Sequence, residues 1–211
     1  MRSPADLLDL DALGATPAMR DPFDYVIVPG FVRADAAARA VVDFPRIDRY
    51  GSFPLKSLRY GPAFADLVAA LTSAEVAALL AEKLSVDLAG KPTMTTVRGR
   101  TGPRDGFIHT DSASKIVTML VYLNDPWEAT GGRLRLLRSA NDLEDYAAEV
   151  PPDRGTMLAF RRSERSFHGH KPFTGERRSL QINWMTDAAV MRREELRHRI
   201  SARLKQLSPF A

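Results

Sequence analysis

His109, Asp111, His168 and Arg177 are the residues of this sequence whose types and spacing could do chemistry. His109 and Asp111 stand two residues apart, so on an extended chain their side chains leave the same face. His168 lies on a later segment, and nine residues beyond it comes Arg177. Three of the four histidines fall between Phe107 and Trp184 and cysteine is absent, so any metal here must be held by nitrogen and oxygen. Two imidazoles and one carboxylate gathered on one face of an iron leave its opposite face open to other ligands. A buried arginine beside such a site wants an anionic partner, and a ligand carboxylate is a natural one.

The elements that must position these residues are strands. Phe107 to Asp111 reads as extended. Ile116 to Leu123 is the strongest strand pattern, apolar on both faces and therefore buried, and Asn124-Asp125-Pro126 closes it. Met94 to Arg100, Arg133 to Leu137, Met157 to Phe160, Ser166 to His170 and Arg177 to Trp184 supply the other strands of this part, with Ala140 to Pro152 a loop or short helix between them. In the last strand the odd positions carry Arg177, Ser179, Gln181 and Asn183, while the even ones carry Arg178, Leu180, Ile182 and Trp184. Alternation therefore puts Arg177 and Ser179 on a polar pocket face and Arg178 on the opposite one.

Before residue 92 the texture is helical. The first twenty residues predict a short helix or arm, and Tyr25 to Val28 a strand stopped by Pro29-Gly30. A helix spans Ala36 to Val42 and ends by Pro45. Tyr50 to Pro62 reads as a loop, followed by helices over Phe64 to Leu71 and Glu75 to Leu84. Thr72 and Glu75 have capping-box spacing. A closing helix is expected over 187–207, with Leu196, Ile200, Leu204 and Leu207 on one face. Short strands after a helical third predict an α+β, mainly β fold: a double-sheet β-roll with N-terminal helices packed on one sheet. One domain over 1–211 is expected, with a core at about 92–186, a helical part at 1–91 and the C-terminal helix.

Composition fits a soluble globular chain of 211 residues, 45% hydrophobic and 27% charged. No apolar run approaches the roughly 20 residues needed to cross a bilayer. The acidic N-terminus does not resemble a secretory signal, and the lack of cysteine fits a reducing cytoplasm. The net charge of +4 with a pI near 9.6 permits nucleic-acid binding, but a solvated basic face accounts for so small an excess.

The stretch from Met94 to Trp184 resembles the Fe(II)- and 2-oxoglutarate-dependent dioxygenases, in particular the prolyl 4-hydroxylase-like group. The residues that carry the resemblance are His109-x-Asp111, Thr118-x-x-x-Tyr122-Leu123-Asn124, Gly131-Gly132, Gly155-x-x-x-x-Phe160, His168 and Arg177-x-Ser179. It implies a double-stranded β-helix, or jelly roll. It also implies that His109, Asp111 and His168 ligate Fe(II), and that Arg177, helped by Ser179 and Tyr122, holds the distal carboxylate of 2-oxoglutarate. The implied reaction uses O2, turns 2-oxoglutarate into succinate and CO2, and hydroxylates a C–H bond, with ascorbate a candidate reductant. The prime substrate is then a small molecule or a protein side chain such as a prolyl residue, and a homodimer is a candidate assembly.

Alternatives stand beside each assignment. His168-x-His170 also resembles cupin-type metal pairs, although His170 can instead line a substrate pocket. Tyr122 can pack rather than bind, and Gly131-Gly132 can mark only a turn. Arg98, Arg100, Arg104 and Lys115 are either solvated surface or readers of an acidic substrate. Two rival functions are a metal- or acid-binding module without turnover and a nucleic-acid demethylase of the same chemistry. The second finds no aromatic-interleaved basic stripe to support it.

Overall fold

The computed structural model describes residues 3–193 and residue 196. In chain order it forms α1 (Pro4–Leu7), α2 (Leu10–Ala15), β1 (Tyr25–Val28), α3 (Ala34–Val42), β2 (Phe53–Pro54), a 3-10 turn (Leu55–Ser57), α4 (Pro62–Leu71) and α5 (Ala74–Leu84). Seven strands follow: β3 (Thr93–Thr101), β4 (Lys115–Tyr122), β5 (Leu134–Leu137), β6 (Tyr146–Val150), β7 (Met157–Arg161), β8 (His168–Gly169) and β9 (Gly175–Met185). All strand pairings between them are antiparallel, in a six-stranded sheet ordered β1-β7-β4-β9-β3-β2 and a three-stranded sheet ordered β6-β5-β8. This is the jelly roll that the strand count predicts.

Two apolar layers follow from the two faces of the large sheet. Val117, Met119 and Val121 of β4 and Leu180, Ile182 and Trp184 of β9 are buried with Leu67, Leu71, Val76, Leu80 and Leu84 of α4 and α5. The helices therefore cover the outer face of the large sheet. On the inner face Tyr122, Leu158 and Phe160 meet Leu134, Leu136 and Val150 of the small sheet. Period-2 alternation in β4 and β9 thus separates a helix-backed core from an inter-sheet space.

Several local expectations change. The cap of α5 is Ser73, whose hydroxyl accepts from Val76 N at 3.3 Å. Thr72 instead ends α4, its hydroxyl donating back to Val68 O at 2.9 Å, so it is not free to cap the next helix. Within 140–152, expected as loop or short helix, Tyr146–Val150 is a strand, because Arg135 of β5 pairs with Glu149 across the ladder. The loop over Tyr50 to Pro62 contains β2 and the 3-10 turn, and α1 and α2 replace the single helix or arm at the N-terminus. In the expected C-terminal helix, residues 188–193 and 196 are helical and Leu196 is exposed, while Ile200, Leu204 and Leu207 lie outside the described residues.

Asn124 ties the end of β4 to its neighbours. Its side-chain oxygen accepts from Arg178 N at 2.6 Å, and its amide donates to Pro152 O at 2.7 Å. Replacing this buried residue by alanine strands a backbone N–H and a carbonyl, for a cost of about 2–3 kcal/mol. Urea unfolding should show that loss for Asn124→Ala, whereas Asn141→Ala on the surface should change stability by less than about 0.5 kcal/mol.

Candidate active site

Between the sheets lies a cavity of about 220 Å³. Its floor is a grid of nine side chains, set by register alone. β9 pairs with β4 on one side and β3 on the other, which lines up Thr118, Asn183 and Met94 in one row. Leu120, Gln181 and Thr96 form the second row, and Tyr122, Ser179 and Arg98 the third. All nine line the cavity.

The opposite wall carries the histidines. His109 and His168 exchange both backbone hydrogen bonds, His109 N to His168 O at 3.1 Å and His168 N to His109 O at 3.0 Å. A pair that exchanges both bonds puts its side chains on the same face, and the two ring centroids are 4.3 Å apart. Asp111, two residues on, shares that face. One ligand atom from each of His109, Asp111 and His168 lies within 4.8 Å of the others. Gly106, at φ +97°, lets the chain enter this segment, since a Cβ there would sit 2.5 Å from His170 Nδ1.

Protonation states follow from the partners. His109 Nδ1 lies 2.8 Å from Phe107 O and His168 Nδ1 lies 2.9 Å from Ser166 O. A carbonyl only accepts, so both Nδ1 atoms carry the proton and both Nε2 lone pairs are free to ligate. Burial pushes His168 down to about 4, so it is neutral near pH 7. Burial alone would raise Asp111, but the Lys115 ammonium and hydrogen bonds from Lys115 and Thr118 outweigh it and hold the carboxyl below its usual range. Lys115 Nζ stands 2.6 Å from one carboxylate oxygen and Thr118 Oγ1 2.5 Å from the other. Arg162 Nε donates to the Asp111 backbone carbonyl at 3.0 Å, which pins the segment from β7. Two imidazoles and a carboxylate are the donor set that a divalent first-row cation takes.

At the other end stands Arg177, buried, its Nε donating to Gly132 O at 2.8 Å. Gly132 sits at φ +78°, and a Cβ on Gly131 would meet Pro172 O at 2.1 Å, so this pair has a structural task beyond a turn. The Arg177 guanidinium carbon lies 5.2 Å from the centre of the Tyr122 ring. Among the described residues no carboxylate forms an ion pair with it. Burial pushes the Tyr122 hydroxyl up against the opposing effect of the neighbouring Arg177 guanidinium, so it stays protonated, and among the described residues it meets no group but that cation. Four buried side-chain polar atoms make no well-aligned hydrogen bond among the described residues. Three of them, on Arg98, Tyr122 and Asn183, belong to residues that line the cavity. A ligand with a carboxylate supplies what Arg177 and Tyr122 lack.

All six site residues read from the sequence thus line one cavity. His170 lines it as well, outside the three-residue cluster and with Nδ1 2.8 Å from Lys171 O. Of the basic residues near the mouth, Arg98 and Lys115 line the cavity and Arg100 and Arg104 do not. Arg178 turns away, its guanidinium 2.9 Å from Glu176 and over the Phe44 ring. Sequence reasoning missed Ser52, Thr96 and Met94. The alternation of β3 could have found the last two, but nothing in the sequence marks the β2 loop as a wall.

Two buried neutral histidines make the metal-free fold acid-sensitive. His168 and His170 are both pushed from 6.5 to about 4, so the unfolded chain binds more protons between those values. The stability they contribute is complete above pH 6.5 and is lost as the pH falls toward 4. Melting temperature measured in chelator should be flat from pH 8 to 7 and decline from pH 6.5 to 4, with His170→Gln reducing the decline.

Residues 100–186 match the family model of the 2OG-Fe(II) oxygenase superfamily. No curated protein matches the sequence. Among solved structures, a Pseudomonas putida prolyl-4-hydroxylase superposes with a TM-score of 0.56 at 19% identity, covering 87% of this chain and 93% of its own. A viral collagen prolyl hydroxylase from Paramecium Bursaria Chlorella virus-1, in its 2OG complex, gives 0.55 at 14% identity, with 79% and 98% covered. HygX from Streptomyces hygroscopicus, with nickel and 2-oxoglutarate bound, gives 0.52 at 16% identity, with 76% and 81% covered. At these identities the likeness is one of fold. The matched residues 100–186 hold the His-Asp-His cluster, Tyr122, Arg177 and Ser179, so the similarity to the 2OG-Fe(II) oxygenase superfamily falls on residues that line the cavity.

Proposed function

We propose that this chain is an Fe(II)- and 2-oxoglutarate-dependent dioxygenase that hydroxylates a C–H bond of a small molecule or a protein side chain. One observation carries the reading: a single cavity holds a three-residue metal cluster and, on its opposite floor, a buried arginine and tyrosine hydroxyl that lack an anion. The 2-oxoglutarate bound in two structures of like fold supports the same assignment. When bound, iron and 2-oxoglutarate would activate O2: the cosubstrate would supply two electrons and leave as CO2 and succinate with one oxygen atom of O2, and the other oxygen atom would enter the C–H bond.

The chain's own residues have distinct tasks. His109, Asp111 and His168 hold the metal, each histidine oriented by the bond from its Nδ1 to a backbone carbonyl. Thr118 fixes the Asp111 carboxylate from the floor. Arg177, with Tyr122 and Ser179 beside it, binds the distal carboxylate of the cosubstrate and so orients it toward the metal. The sheets around the cavity keep water away from the reacting atoms. The intact set of ligands and anchor stands against a module that binds without turnover, and the cysteine-free composition supports a cytoplasmic setting.

The purified protein should bind one Fe(II) per chain and develop a weak visible charge-transfer band on anaerobic addition of 2-oxoglutarate. Iron binding by His109→Ala or Asp111→Ala as tight as wild type would sink the metal assignment. Loss of a buried charge-assisted contact costs about 2–5 kcal/mol. Arg177→Ala should therefore raise the 2-oxoglutarate concentration for half-maximal band intensity by about 30-fold or more, with iron affinity nearly unchanged. Arg178→Ala, on the outer face, should shift it little.

A further inference from the structure

Arg98 is the cationic side chain of the cavity that the proposed reaction does not use. It sits in the third row of the floor, across Ser179 from Tyr122. Its guanidinium is inside the protein, with a side-chain exposure of 22%. Its Nη1 stands 2.8 Å from Asp105 Oδ1, and this contact helps hold the Asp105 carboxyl below its usual range against its burial. Asp105 belongs to the rim turn between Gly102 and Gly106 and is tethered there, its other oxygen accepting from Gly102 N at 2.8 Å. A carboxylate is thus already present at Arg98, but with one oxygen held by its own turn it meets the guanidinium through the other alone.

We propose that Arg98 reads a carboxylate on the prime substrate, for which Asp105 stands in while the substrate is absent. The inference rests on the cavity being a 2-oxoglutarate oxygenase site and names the substrate class of that same site. A free carboxylate entering from the cavity can form the planar, two-pronged contact with the guanidinium that the tethered Asp105 does not make. Charge points the same way. Arg98, Lys115 and Arg177 line the cavity, and Asp111 together with the rim carboxylate of Asp105 offsets two of these three charges. A divalent cation held by the cluster and a dianionic cosubstrate cancel each other and leave that excess in place. The floor beside Arg98 is also polar, with Thr96 and Gln181 in the adjoining row, which suits a hydrogen-bonding substrate better than a bare hydrocarbon ring. Arg98 is separate from the cosubstrate anchor on two counts. Arg177 is the more deeply buried and has no ionic partner to displace, as a permanent anchor requires, whereas Arg98 has a partner on a glycine-flanked turn.

The test uses the full-length protein loaded anaerobically with Fe(II) and saturating 2-oxoglutarate. Probes are a panel of small carboxylic acids, from butyrate to phenylacetate and N-acetylated amino acids, together with the primary amide of each. Binding is read as a shift of the charge-transfer band. Wild type should bind the best acids at least about 10-fold more tightly than their amides. Arg98→Gln should erase that preference while changing 2-oxoglutarate affinity by less than about 3-fold, and Arg98→Lys should restore part of it. Asp105→Asn should tighten the acids. A band that forms normally but shows no preference for acids over amides overturns this inference and leaves the oxygenase reading standing. A loss of 2-oxoglutarate affinity of about 10-fold or more in Arg98→Gln also overturns it, because Arg98 would then be a second cosubstrate anchor. Failure of the band to form in wild type removes both.

Discussion

The mutual pair of backbone hydrogen bonds between His109 and His168 is the constraint on which the rest of the site depends. It adds the His109 segment to the edge of the small sheet through a single bridge, with no regular strand around it. That one bridge fixes three things together. It places both rings on the inner face, it lets Asp111 share that face by the period of two, and it keeps each Nδ1 against a backbone carbonyl. Beside it the one further backbone bond between these two segments is His170 N to Gly106 O at 2.9 Å, so without the bridge little would set the register of Phe107 to Asp111. The two imidazoles would then be brought together by side-chain contacts alone.

The large sheet supplies the complementary half through β9, which is paired on both sides over most of its length. A central strand cannot slip by one residue without turning Leu180, Ile182 and Trp184 into the cavity and Arg177, Ser179, Gln181 and Asn183 against the helices. The packing of α4 and α5 on the apolar face therefore does chemical work at a distance. It holds Arg177 and Ser179 inward because the alternative register would bury charge against leucine side chains. Helices that contribute no residue to the cavity thus help decide which residues do.

This explains why much of the molecule was legible in the sequence. Alternation in 177–184 separated the two faces of β9, and the apolar run of 116–123 marked β4 as buried, because both are period-2 signals in strands with two covered faces. The His-x-Asp spacing carried across the one bridge for the same reason. What escaped was set by contacts between distant segments. The strand at Tyr146–Val150 has little intrinsic strand character, its alanines flanking a glutamate that Arg135 recruits from β5. Ser73 rather than Thr72 caps α5 because Thr72 spends its hydroxyl on the preceding helix. Arg162 on Asp111 is a tertiary contact with no periodic signature. The ion pair that joins Arg98 to Asp105 depends on where the rim turn folds, so the sequence could only place Arg98 near the mouth.

The same contrast shows where stability is given up. Native interiors leave few polar atoms unpaired, and each costs on the order of 1–3 kcal/mol. Here Tyr122 Oη and Asn183 Nδ2 make no aligned hydrogen bond among the described residues and Arg98 Nη1 has only the rim carboxylate of Asp105, all on residues that line one cavity. Each comes from a different strand, β3, β4 and β9, yet register brings them onto one floor. Such a concentration is not what packing for stability produces, since an apolar side chain at each position would remove the penalty. The helix-backed core on the far side of the same strands, with Trp184, Leu180 and Ile182 almost wholly buried, offsets it. One face of the large sheet holds the fold together, and the other keeps donors waiting for oxygen ligands that the protein itself does not provide.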